Sequence, residues 1–174
     1  TQMYRGGIFD HIGGGFCRYA TDRYFLVPHF EKMLYDNALL ILCYAKAYEI
    51  TQKERYREIA CRTADFVLNE MTGENHGFYA AQDADSEGEE GKYYLFTPGE
   101  IIAVLGEEEG MSFNHRFDIS QKGNFEGKNI PNLLHSEDLF AAPAKTLQAL
   151  REYRKARTGL FTDDKILTAW NGMM

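Results

Sequence analysis

The segment from Pro28 to Met71 constrains the fold more than any other part of the chain. Its first part contains "ALLILCYAKAY", which is apolar nearly all round. A helix with that pattern is expected to be buried on most faces. Pro28 suits the first position of such a helix, and the apolar pattern carries it to about Ile50. A polar link, Thr51 to Glu54, then leads into a second helix expected over residues 55–71. There Tyr56, Ile59, Ala60, Thr63, Ala64, Phe66 and Val67 form one stripe. Arg55, Arg57, Glu58, Arg62, Asp65 and Asn69 largely occupy the rest, as on a surface helix with one buried face. An apolar helix joined by a tight link to an amphipathic one is an αα-hairpin, the repeating unit of helical toroids and solenoids.

The rest of the chain reads as helices whose connecting loops carry small β-elements. Residues 1–5 look like a helix tail stopped by Gly6 and Gly7. Residues 6–27 form a glycine-punctuated loop, in which Phe16–Ala20 and Tyr24–Val27 are expected to pair as a hairpin. Gly77–Gln82 and Lys92–Thr97 alternate like two strands around an acidic, glycine-rich loop. Pro98-Gly99-Glu100 opens a short helix to Leu105, and another covers 107–116. A long helix is expected from about 144 to 158, and a further one begins near Asp164. The two ends, "TQMYRGG" and "LTAWNGMM", both look cut from a longer helical chain. The expected class is mainly α, built of αα-hairpins with small β-hairpins between them.

Charge and cysteine usage narrow the function. Nineteen basic against 26 acidic residues give a net charge of −7. An acidic surface repels phosphate backbones, so nucleic acid is not an expected partner. No apolar run is long enough to span a membrane. Cys17, Cys43 and Cys61 are odd in number and contain no CxxC pair, so neither a disulfide framework nor a thioredoxin-type motif is present. Cys43 and Cys61 sit in helical apolar patterns and read as small buried hydrophobes. Reduced, cytoplasmic conditions fit best. Aromatic residues reach 14%. Combined with acidity, that suits a carbohydrate-facing surface as well as a large core.

Four clusters could carry chemistry. Asp10-His11 precedes Gly13-Gly14-Gly15 and then Arg18-Tyr19; three glycines allow unusual backbone and close approach to a ligand, or simply a flexible turn capped by an aspartate. In "PHFEKMLYDN", a helical reading puts His29, Lys32 and Asp36 on one face and Glu31 with Tyr35 on another. His29 at a helix start would be held neutral and could act as a general base, or it is an ordinary first-turn residue. In "QDADSEGEEG", Asp83 and Asp85 could supply a general acid and a base. The same segment matches the first half of a calcium loop, but Tyr94 stands where the bidentate acid belongs. The last cluster holds Asp163-Asp164 and Trp170-Asn171, with Trp170 either core or a platform for a sugar ring. Asn124, Glu126 and Asn129 come from the loop "GNFEGKN". His11, Cys17 and His29 lack the close spacing of a structural zinc site. Neither metal nor cofactor is expected.

Four long motifs together carry a family resemblance: "GGIFDHIGGGFCRYATDRYFLVPHFEKMLYDNALL", "GFYAAQDADSEGEEGKYYLFTPGEI", "GNFEGKN" and "DDKILTAWNGMM". The chain resembles the spermatogenesis-associated thioredoxin-like proteins and their bacterial and archaeal relatives. The resemblance implies an incomplete (α/α)6 toroid of six-hairpin glycosidase type. Residues 1–174 would be the first portion of that single domain, without the thioredoxin-like domain expected upstream. It departs from the family's pattern at Cys17, where the family has His, and at Gln82, where it has Glu.

By analogy with such toroids, the implied function is sugar hydrolysis or epimerisation at the toroid mouth. His11, His29, Asp36, Asp83, Asp85 and Asp164 are the candidate acids and bases. Arg18, Tyr19, Tyr35, Glu126, Trp170 and Asn171 are the candidate substrate-binding residues. The alternatives are a non-catalytic module that binds a glycan or peptide, and a scaffold in which every polar cluster serves loop architecture. A full toroid needs about 12 helices and well over ~300 residues. The expected piece would therefore expose inner helix faces that missing hairpins, or self-association, should cover.

Overall fold

The computed structural model describes all 174 residues. In chain order it contains α1 (Gln2–Arg5), β1 (Tyr19–Ala20), β2 (Pro28–His29), β3 (Lys32–Met33), α2 (Leu34–Thr51), α3 (Glu54–Glu70), β4 (Ala81–Gln82), β5 (Asp85–Ser86), β6 (Glu89–Glu90), α4 (Pro98–Leu105), α5 (Glu107–Arg116), α6 (Ala144–Arg157), β7 (Thr162–Asp163) and α7 (Thr168–Asn171). The chain is thus helix-rich with small antiparallel sheets. No helix is long and apolar enough to cross a membrane.

The αα-hairpin is α2 and α3. Gln52 takes a left-handed conformation (φ 55°, ψ 24°) that turns the chain between them. Ile59, Ala60, Thr63, Phe66 and Val67 are the buried stripe of α3, while Tyr56 and Ala64 are half-buried. On α2 the structure departs from the sequence reading in two ways. The helix starts at Leu34 rather than Pro28, because residues 28–33 are extended and pair as strands. Only Leu34, Asn37, Ala38 and Tyr44 are buried. Leu39, Leu42, Cys43 and Ile50 form an exposed apolar face, with Leu42 55% and Ile50 82% exposed. Cys61 is exposed too, so of the three thiols only Cys17 is buried. The apolar pattern of α2 serves two faces, and only one meets another element of this chain.

The first half of the glycine-punctuated loop, residues 6–17, is interior rather than a flexible crossing. Phe9, Ile12 and Phe16 join Tyr4, Tyr44, Ile59, Phe96, Ile101, Phe113, Phe117, Leu147 and Leu150 in the main core. Full burial of side chains this size stabilises by about 1.5–3 kcal/mol each. Buried Asn37 braces the loop to α2. Its Oδ1 accepts from Phe16 N–H at 2.7 Å, and its Nδ2 donates to the carbonyls of Phe16 (3.1 Å) and Met33 (2.9 Å).

Gly14 and Gly15 have φ of 82° and 76°, and both press on α3. A Cβ on Gly14 would lie 2.5 Å from the Arg62 carbonyl oxygen, and one on Gly15 would strike the Phe66 ring. Gly15→Ala combines left-handed strain with overpacking and should destabilise by about 2–4 kcal/mol. Chemical denaturation measures this; an unchanged midpoint would show that the loop does not need its glycine conformation.

The β-elements also differ from the sequence reading. Tyr19–Ala20 pairs with Pro28–His29, not with 24–27. Lys92–Thr97 forms no strand; Tyr93, Tyr94 and Leu95 turn into the interior, and Phe96 bridges Asn129. The acidic segment itself makes the hairpin β5–β6, turning through Glu87 (φ 56°) and Gly88 (φ 81°). Two successive positive φ values match the right-handed twist of the flanking strands. A three-stranded sheet in the order β3–β4–β7 joins segments far apart in sequence.

Candidate functional site

Two polar clusters stand out, one interior and one exposed. The interior cluster centres on Asp10. Its Oδ1 accepts from the N–H groups of Ile12 (3.0 Å) and Gly13 (2.8 Å). Its Oδ2 accepts from Lys32 Nζ and Arg154 Nη1, both at 2.9 Å. Burial opposes the charge on Asp10, yet Arg154 and Lys32 hold its carboxyl far below the usual carboxylate range. One carboxylate shared by two cations leaves a positive excess. Aromatic faces take it up: Lys32 Nζ lies 4.3 Å from the Phe66 ring centre, and Arg154 Cζ lies 4.4 Å from that of Tyr93. His11 is next door and 1% exposed. Burial first, then the Arg62 charge, push it down to about 3. Burial pushes the Cys17 thiol up to about 12. This cluster ties the glycine loop, β3 and α6 together in the interior.

The exposed cluster follows from the extended conformation of residues 28–33. Pro28, Phe30, Lys32 and Leu34 point inward, and His29, Glu31 and Met33 outward. Period-2 alternation of this kind is the mark of a strand with one covered face. It corrects the helical reading, in which His29, Lys32 and Asp36 shared a face. Tyr19 stacks on His29 with ring centres 5.0 Å apart. Glu90 Oε1 accepts from His29 Nδ1 at 2.9 Å, and Glu31 Oε2 lies 3.9 Å from Nε2. Arg18 Nη1 donates to Glu31 at 3.0 Å. Tyr35 packs edge-on against Trp170 at 4.9 Å. Continuing the β3–β4 register by one residue sets Glu31 opposite Asp83. Like charges directly opposite each other in a sheet are destabilising, and Arg18 offsets this one. Asp36, in the first turn of α2, has its acidity weakened by burial and by Glu31, against the opposing effect of Arg18. Its Oδ2 is buried without a hydrogen-bond partner.

Arg18, Tyr19, His29, Tyr35 and Asp36 therefore come together, with Asp83 placed by register and Trp170 at the margin. Asp85 pairs across the acidic hairpin with Glu90, the partner of His29. His11 lies in the interior, away from this face. Asp164 is exposed after β7, and Glu126 is exposed in a tight turn with φ 47°. Asn171 brackets Phe78, accepting from its N–H at 2.8 Å and donating to its carbonyl at 3.0 Å. Gln82 is buried and turned from the exposed face, its Nε2 donating to the Glu70 carbonyl at 3.4 Å. Sequence reasoning placed Glu31 beside Tyr35 but counted neither Glu31 nor Glu90 among the candidate site residues. The alternation in "PHFEKM" was the available signal for Glu31, and the charged Lys32 at an inward position masked it.

No family model matches the sequence. Among known proteins, human spermatogenesis-associated protein 20 is 34% identical over 99% of the chain. Spermatogenesis-associated protein 20 is a homologue of this chain. The mouse protein of that name is also 34% identical, and an uncharacterised Caenorhabditis elegans protein is 29% identical, each over 99% of the chain. The chain spans about a quarter of the length of these curated relatives: 27% of the human and mouse spermatogenesis-associated protein 20 and 28% of the nematode protein.

Proposed function

We propose that the exposed cluster is an acid–base site for a carbohydrate ligand, acting in sugar hydrolysis or epimerisation. The observation that carries this reading is the neighbouring pair Asp36 and Glu31. Asp36 is partly buried, retains its proton more readily than usual and has a free oxygen. Glu31 is bound to the Arg18 guanidinium. Two carboxyl groups in contrasting surroundings suit an acid and a base. His29, gripped by Glu90, supports proton abstraction and hence epimerisation. Tyr19, Tyr35 and Trp170 would stack on sugar rings.

The finer architecture we infer is a section of an (α/α)6 toroid, with α2 as an inner helix and α3 as its outer partner. The open face at Leu39, Leu42 and Cys43 supports it, since further hairpins or a second copy would cover that face. The free, exposed thiols of Cys43 and Cys61 suit a reducing compartment such as the cytoplasm. A second reading, a non-catalytic glycan- or peptide-binding module, draws support from the openness of the site, where Tyr19 is 50% exposed.

NMR of the protein with a panel of mono- and disaccharides tests both. A processed sugar, with Asp36→Asn slowing turnover by about 100-fold or more at unchanged melting temperature, is expected. Binding without product would leave the binding module, and neither binding nor product would remove both readings.

A further inference from the structure

Asp10, His11, Cys17, Phe30 and Tyr94 help to line a narrow cleft of about 10 Å3, and every residue around it is buried. That volume has room for one water molecule. Two side-chain atoms of these lining residues have no protein partner, His11 Nδ1 and Tyr94 Oη. Their hydrogen-bonding characters are complementary. His11 Nε2 lies 3.3 Å from the Gly6 carbonyl, which can only accept. Nε2 therefore carries the ring proton, and Nδ1 presents a lone pair. The ring is neutral, since burial and the Arg62 charge push it down to about 3. Burial keeps the Tyr94 hydroxyl protonated, so it offers a donor. Leaving two such groups dry and unpaired would forfeit the hydrogen bonds that each makes to water in the unfolded chain.

We propose that this cleft is a binding site for a single water molecule, which accepts from Tyr94 Oη and donates to His11 Nδ1. Its second hydrogen faces the Cys17 sulfur, a weak acceptor on the cleft wall. The water links the glycine loop to the inward turn at Tyr93–Leu95, beside the Asp10–Lys32–Arg154 cluster. It is a structural site, separate from the exposed cluster around Glu31.

A high-resolution crystal structure of the full chain, and of Tyr94→Phe, tests this, together with 15N NMR of the His11 ring. Expected are one solvent peak within about 2.6–3.2 Å of both atoms, its loss or displacement in Tyr94→Phe, and an Nε2-protonated tautomer. An empty cleft, a direct Tyr94–His11 hydrogen bond, or an Nδ1-protonated ring would overturn the proposal. If Tyr94→Phe does not fold, the wild-type map and the tautomer decide alone.

Discussion

Replacing Asp10 with Asn should cost about 3–5 kcal/mol of folding stability, the range for breaking a buried ion pair by removing one partner. The substitution preserves shape and removes only charge and acceptor capacity. It leaves Lys32 and Arg154 buried with no carboxylate between them. One amide oxygen also cannot replace both the acceptor for Ile12 and Gly13 and the acceptor for the two cations. The aromatic faces of Phe66 and Tyr93 moderate the loss without abolishing it, since each cation–π contact is worth about 0.5–2 kcal/mol. Urea denaturation measures the change. The informative comparison is a triple variant, Asp10→Leu with Lys32→Met and Arg154→Met. Replacing a whole buried ionic group by apolar residues is often near neutral, so the triple variant should be more stable than Asp10→Asn. A triple variant that is the weaker of the two would show that the charges themselves, and not their balance, hold these segments together.

Acid should destabilise the protein well before its carboxylates titrate. His11 has an ordinary value of 6.5 and a folded value of about 3. Below pH 6.5 the unfolded chain binds a proton at His11 that the folded chain refuses. Stability therefore falls with falling pH, by up to about 1.4 kcal/mol per pH unit for this one proton. The loss runs from about 6.5 towards 3 and totals on the order of 4 kcal/mol. Asp10 acts lower down. Its folded carboxyl is depressed, so its contribution is fully present above its ordinary value of 3.8 and is lost as pH falls further. Denaturation midpoints at pH 7, 6, 5 and 4 give the profile. His11→Gln, less stable at pH 7, should show a flatter slope between 6.5 and 4. An unchanged slope in that variant would place the acid sensitivity elsewhere.

The two features differ in how visible they are in sequence. The α3 stripe, the polar link after α2 and the helix starting at Pro98 are local patterns. Each depends on residues a turn or two apart, and each was legible. The α4 start even carries its capping box, with Thr97 and Glu100 bonding each other's backbone. The segment 28–33 was not legible as a strand. Its alternation is short, Pro28 also suits a helix start, and Lys32 occupies an inward position that charge would normally forbid. Lys32 is tolerated there because Asp10 and the Gly14 carbonyl meet it. Neither partner is near it in sequence. Likewise Asp10 reads as a turn cap until the fold brings it against Arg154, 144 positions away in sequence.

Sequence by itself determined the helical class, the αα-hairpin, the acidic surface and most of the polar residues now found around Glu31. It did so because helix periodicity, capping and composition are set by near neighbours. Only the tertiary structure decided that residues 28–33 are extended, that Glu31 and Glu90 flank His29, and that His11 is interior. Those outcomes rest on strand pairing and buried charge compensation between distant segments, whose energies exist only once the partners have met.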